Sequence, residues 1–78
     1  MVVKVYSTPT CPYCRAAKRY LAERNVSYED IDVSRDYAAA LEMIRKSGQQ
    51  GVPVLDINGE IIIGFDRPRI DAALAAGF

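Results

Sequence analysis

The sequence predicts an α/β fold, a four-stranded mixed sheet flanked by helices, with elements in the order β-α-β-α-β-β-α. Three observations predict it. Residues 2–33 run through strand, helix and strand patterns in turn, a unit that places its two strands parallel with a right-handed crossover. Asn58-Gly59 sits between two β-branched runs, and Asn-Gly in that setting is the strongest short-range hairpin signal. Helical periodicity occupies the stretches that follow the second and fourth strands, so helices are available to cover the sheet.

Val2-Val3-Lys4-Val5-Tyr6-Ser7 is β-branched and aromatic and reads as the first strand. Thr8-Pro9-Thr10 interrupts it as a loop. From Pro12 to about Arg24 the spacing of Cys14, Ala17, Tyr20 and Leu21 is helical, Arg19 and Glu23 stand four apart, and Asn25 is a stop. Ser27 to Val33 is the second strand. Ser34 is the expected N-cap of a second helix that runs to Ser47 and ends at Gly48, with Tyr37, Leu41 and Ile44 inward and Arg45 and Lys46 at its negative end. Val52–Ile57 and Glu60–Ile63 form the hairpin. Asp66 caps a last helix with Pro68 in its first turn and Ile70, Ala73 and Leu74 facing inward.

The 78 residues are expected to form one domain, residues 1–78, with a modest core, since a chain this short buries only about 60% of its unfolded surface. Lys plus Arg and Asp plus Glu number 10 each, so net charge points to neither nucleic acid nor an anionic membrane. Locally the charges separate: Arg15, Lys18, Arg19 and Arg24 precede Glu29, Asp30, Asp32 and Asp36, a pattern that reads as solvated faces. No apolar stretch is long enough to span a membrane. The strand pattern begins at once, which leaves no room for a secretory leader. A cytoplasmic monomer is the expectation.

Thr10-Cys11-Pro12-Tyr13-Cys14 contains the two cysteines of the chain. As a structural staple they would close a four-residue loop, worth roughly 2 kcal/mol against more than about 4 for a loop of 100 residues. Structural disulfides are also rare in the cytosol. Zinc takes about four ligands, and with no histidine the chain supplies half a site; no metal is expected. A redox pair fits the location better. Cys11 falls where a loop enters a helix, near unpaired N–H groups and the positive end of the dipole, an environment that favours a thiolate. Arg15 and Lys18 add positive potential. Cys14, one turn on, is in reach of a mixed disulfide at Cys11, and Pro12 suits the first turn because it has no N–H to satisfy. Without histidine, Ser-His and Cys-His hydrolytic chemistry is excluded.

Cys-Pro-Tyr-Cys after a first strand, then a helix and a second strand, resembles the glutaredoxins, and the resemblance extends over almost the whole chain. Val52-Pro53 matches the family's Val-Pro, whose proline is cis and faces the active site, and Gly64-Phe65-Asp66 falls at its Gly-rich turn. The resemblance implies the thioredoxin fold and a dithiol thiol–disulfide oxidoreductase that reduces protein disulfides or glutathione mixed disulfides. It makes Cys11 the nucleophile and Cys14 the resolving thiol, supported by Pro12 and Arg15. Glutathione is then a co-substrate rather than a bound cofactor. Tyr13 would flank its sulfur, the Val52 backbone ahead of Pro53 would pair with its peptide, and Phe65 N–H and Asp66 would hold its γ-glutamyl end. Each also has a structural account: Pro53 as an edge-strand proline, Asp66 as a helix cap, Phe65 as a wall residue, Tyr13 as a shield over the disulfide.

The chain departs from the family pattern at three places. Thr8 stands where a lysine is usual, Gly51 where threonine precedes Val-Pro, and Ile63 where the turn has its first glycine. Gln49 and Gln50 are left as uncharged donors for the glycyl carboxylate. These departures lean toward the redoxins that take electrons from thioredoxin reductase and feed ribonucleotide reductase, whose Gly-Phe-Arg-Pro stretch resembles residues 64–68 without Asp66. A further alternative is a dimer that binds an iron–sulfur cluster through Cys11 with glutathione as the other thiolate ligand.

Overall fold

The computed structural model of the chain describes residues 1–76; the last two positions of the 1–78 span lie outside the described residues. The elements are β1 (Val3–Ser7), α1 (Pro12–Glu23), β2 (Glu29–Asp32), α2 (Tyr37–Ser47), β3 (Val54–Ile57), β4 (Glu60–Ile63) and α3 (Arg67–Ala76). They form one four-stranded sheet in the order β2-β1-β3-β4. β1 and β2 are parallel, while β3 is antiparallel to both β1 and β4, as the sequence pattern predicts.

Because side chains alternate across a strand, β1 and β3 serve two cores. Val5, Leu55 and Ile62 lie in one cross-strand row and are fully buried. They pack with Ala17, Tyr20 and Leu21 of α1 and Ile70, Ala73 and Leu74 of α3. Their neighbours Tyr6 and Val54 turn the other way and meet Met43 of α2. Helices α1 and α3 therefore cover one face and α2 the other. The inward residues of α1 and α3 are those the periodicity assigns.

Helix α2 differs from expectation at its start. Ser34 is not its N-cap: the Asp32 carboxylate accepts from Ser34 N–H at 2.9 Å, and the chain makes one more turn, Asp36 N–H to Asp32 carbonyl at 3.2 Å. Asp36 caps the helix instead, its side chain accepting from Ala39 N–H at 3.0 Å. The inward stripe differs too. Met43 is buried and Ile44 half-buried, whereas Tyr37 and Leu41 are 78% and 46% exposed.

The reason lies under the helix. The buried Tyr6 phenol donates to Glu42 and accepts from Lys46 Nζ at 2.9 Å, and Lys46 also reaches Asp56 at 2.7 Å and Glu42 at 3.1 Å. A buried hydroxyl left unpaired is costly, so the face of α2 over Tyr6 is partly charged, which an apolar-stripe reading misses. Burial opposes the Lys46 charge, but its bonds to Asp56, Tyr6 and Glu42 prevail and hold its pKa above the ordinary lysine value. Gly48 closes the helix in the left-handed conformation, φ 75°.

Replacing the cap tests this boundary. Asp36→Ala should cost about 1 kcal/mol in urea unfolding, and Ser34→Ala no more than about 0.5 kcal/mol. The reverse order would mean that the helix begins at Ser34.

Candidate active site

β1 delivers the chain to the site. Ser7, its last residue, is buried; it accepts from Val33 N–H through its carbonyl at 3.0 Å and donates through its hydroxyl to Asp30 at 2.7 Å. After the loop at 8–10, Cys11 adopts an extended backbone, φ −96° and ψ 110°, and becomes the N-cap of α1. Its sulfur accepts from Cys14 N–H at 3.1 Å, so a thiol occupies the place of the usual capping oxygen. Its carbonyl accepts the helix's first bond, from Arg15 N–H at 3.2 Å. Pro12 follows as the first helical residue, where no backbone donor is lost. Arg15 reaches back to the Pro9 carbonyl at 3.3 Å and ties loop to helix. Lys18 pairs with Asp30 at 3.0 Å, which links α1 to β2.

The two thiols are unequal. Cys11 is half-buried, whereas Cys14 is fully buried among the core residues of α1. Burial, reinforced by its hydrogen bond with Cys11, pushes the Cys14 thiol from an ordinary 9.0 up to about 11. Tyr13, between them, is 69% exposed.

The second wall comes from the segment before β3. The Val52-Pro53 peptide is cis, and the Val52 carbonyl lies 3.9 Å from the Cys11 sulfur. Pro53 is buried and its carbonyl accepts from Gly64 N–H at 2.8 Å, so the turn after β4 is bonded to the same segment. Gly64 takes φ 80°, a conformation that costs glycine little. Asp66 accepts from Arg69 N–H at 3.3 Å and caps α3.

Gln49 stands on the loop leading to Val52, with its amide bonded to Gly51 and Ser47 of that same loop. Cys11, Cys14, Val52 and Pro53 are thus brought together, with Phe65 and Asp66 attached through Gly64. Among the described residues, no group of three or more His, Cys, Asp and Glu is placed to hold a metal ion.

Phe65 is seated by residues that motif reasoning does not reach. Its ring meets Tyr20 edge-on, centroids 5.6 Å apart. The Tyr20 hydroxyl donates to Asp71 at 2.5 Å, and the Arg24 guanidinium lies 3.6 Å from the Tyr20 ring centroid. Arg24 also pairs with Asp71 at 3.5 Å. The stripe on α1 marks Tyr20 as core, but nothing local marks its phenol as the link between α1 and α3.

The glutaredoxin family model matches residues 3–62. The chain belongs to the glutaredoxin family. It is 46% identical over 70 residues to an uncharacterized glutaredoxin-like 8.6 kDa protein in the rubredoxin operon of Clostridium pasteurianum, covering 90% of this chain and 93% of that one. It is 38% identical over 64 residues to glutaredoxin 3 of Escherichia coli strain K12, covering 82% and 77%. Among solved structures it superposes on the thioredoxin-like protein BC3987 with a TM-score of 0.85, 32% identity and coverage of 91% and 97%. NrdH-redoxin from Escherichia coli, a glutaredoxin-like protein with a thioredoxin-like activity profile, gives 0.82, 29% and coverage of 92% and 93%. The fold is the thioredoxin fold, and this glutaredoxin is a thiol–disulfide oxidoreductase.

The raised Cys14 thiol has a consequence for stability. The unfolded chain ionises this group from about pH 9 while the folded chain keeps it protonated to about pH 11. Its contribution, at most about 3 kcal/mol, is complete below pH 9 and lost as pH rises toward 11. Tyr6, Tyr20 and Lys46 are raised as well, so the informative quantity is the difference from Cys14→Ser. Urea unfolding under reducing conditions at pH 8, 10 and 11 should show the reduced native protein losing stability faster than Cys14→Ser. Parallel curves would contradict the assignment.

Proposed function

We propose that Cys11 is the nucleophile and Cys14 the resolving thiol of a dithiol cycle that reduces protein disulfides and glutathione mixed disulfides. The observation that carries this is the inequality of the two sulfurs. Cys11 caps the positive end of α1 and is only half-buried, whereas Cys14 is fully buried and held protonated.

In the first step the Cys11 thiolate attacks one sulfur of the substrate disulfide. A Cys11–substrate bond forms, the substrate's S–S bond breaks, and the leaving thiolate takes a proton from water. Cys14 then gives its proton to water and attacks the Cys11 sulfur. The Cys11–substrate bond breaks, the second substrate sulfur leaves as a thiolate that takes up a proton from water, and a Cys11–Cys14 disulfide remains. Once Cys11 carries a substrate it no longer acts as a charged neighbour of Cys14, so one cause of the raised Cys14 thiol disappears when ionisation is required. Two electrons from an external donor, two glutathione thiols or a reductase, restore the dithiol.

Glutathione serves here as a co-substrate, with no permanently bound cofactor. Tyr13 flanks its sulfur, the Val52 backbone ahead of Pro53 pairs with its peptide as an added strand, and Phe65 N–H, Asp66 and the N-terminus of α3 receive its γ-glutamyl end. The amino group of that end suits the Asp66 carboxylate. A second electron donor, thioredoxin reductase, is favoured by Thr8, Gly51 and Ile63 at positions where the glutaredoxin pattern differs. The structural likeness to NrdH-redoxin also favours it. The setting we propose is the cytoplasm.

Two substitutions test the assignment. Cys11→Ser should reduce disulfide reduction to the uncatalysed rate, and Cys14→Ser should accumulate a covalent adduct with a protein disulfide, visible by mass spectrometry. Catalysis by Cys11→Ser would reject the mechanism. Following NADPH loss with glutathione plus glutathione reductase, and separately with thioredoxin reductase, identifies the donor by which route turns over.

A further inference from the structure

The loop before Val52 contains a closed hydrogen-bond clip. Gln49 Oε1 accepts from Gly51 N–H at 2.6 Å, while Gln49 Nε2 donates to the Gly51 carbonyl at 3.0 Å and to Ser47 Oγ at 3.3 Å. Ser47 Oγ in turn donates to the Met43 carbonyl at 2.7 Å, which anchors the clip to the last turn of α2. A primary amide has two N–H hydrogens, and both are committed.

Glycine at 51 makes the clip possible through space rather than conformation. Its backbone is outside the left-handed region that Gly48, Gly59 and Gly64 occupy. A Cβ at 51, however, would lie 2.8 Å from Gln49 Oε1. Side chain and clip exclude one another, and a flexible amide is what would give way.

The clip affects what lies beside Cys11. In the binding mode proposed above, a group disulfide-bonded to that sulfur extends along the segment carrying Val52, whose carbonyl is 3.9 Å away. The 48–53 segment, Gly-Gln-Gln-Gly-Val-Pro, carries no cation. Lys46, the charge preceding it, is engaged by Asp56 and Glu42. A carboxylate lying along this loop therefore meets no positive charge from the segment itself and finds the Gln49 donors occupied; the exposed Gln50 amide is uncharged. An extended peptide without a charged end needs only the backbone edge, which the clip holds in place.

We infer that the Gln49–Gly51 clip is a specificity-determining element that makes the site indifferent to a carboxylate beside the reacting sulfur. It thereby favours extended peptide disulfides over recognition of glutathione by its glycine. This rests on the proposed nucleophile Cys11 and the Val52 edge. Gln49 acts as a positioning residue for Val52.

The test compares two mixed disulfides of one reporter peptide, one with glutathione and one with glutathione whose glycine carboxylate is an amide. Each reacts with the reduced protein in a single turnover. The unaltered protein should react with the two at rates within about twofold, since no charged contact distinguishes them. Gly51→Thr, which unseats the Gln49 amide, and Gln49→Arg, which adds a cation, should both shift the ratio toward the carboxylate. The shift should reach about fivefold for the arginine and shrink with added salt. A preference of fivefold or more for the carboxylate in the unaltered protein, lost in Gln49→Ala, would overturn the inference by making Gln49 a direct ligand contact. So would an unchanged ratio in both variants. If Cys11→Ser instead reacts as fast as the unaltered protein with both compounds, the proposed nucleophile itself is wrong, a distinct failure.

Discussion

The hydrogen bond from Cys14 N–H to the Cys11 sulfur, 3.1 Å long, joins the requirements of the helix to those of the chemistry. An α-helix leaves its first N–H groups without intrahelical partners, and here a sulfur satisfies one of them. The same contact sets Cys11 in extended backbone at the positive end of α1, with Cys14 one turn behind it. Pro12 is compatible because its position needs no donor. The arrangement holds only if the start of α1 is fixed relative to the sheet. That is supplied by Ser7 bonded to Asp30 and Val33, by Lys18 on Asp30, and by Ala17 and Leu21 packed over Val5 and Leu55.

The sheet contributes differently on its two faces. On the α1 and α3 side the buried core is apolar, and the buried row Val5, Leu55 and Ile62 brings the end of β1 beside the beginning of β3. This puts Cys11 opposite Val52. On the α2 side, a phenol and three charged groups share the contact with Met43. That network orients the last turn of α2, from which Ser47 reaches the loop that ends at Pro53. The wall of the site facing Cys11 is thus held from both faces of the sheet.

Phe65 shows a third kind of support. Its ring rests against Tyr20, whose hydroxyl bonds Asp71 and whose face carries Arg24. One aromatic side chain links the helix that bears Cys14 to the helix that Asp66 caps. Aromatic residues suit such a place because they combine a large apolar surface with a polar end that still needs a partner.

Much of this molecule was determined by local sequence. The order of elements, the hairpin at Asn58-Gly59, the cap at Asp66 and the inward faces of α1 and α3 follow from periodicity and turn chemistry, which depend on neighbours a few residues apart. The redox pair follows from the spacing of two cysteines at a loop-to-helix junction, and the family from the motifs around it. Tertiary structure decided the rest. Ser34 lost the N-cap of α2 to Asp36 because the end of β2 turned on Asp32, and Tyr37 and Leu41 faced outward because α2 answered a buried phenol with Glu42 and Lys46. Cys14 differs from Cys11 through burial, and Tyr20 reaches Asp71 across 51 positions of sequence. Whether Gln49 offers its amide to a ligand or spends it on Gly51 depends on the path of the loop. Local patterns report which conformations a segment prefers; which buried polar atoms need partners is known only once distant segments have packed.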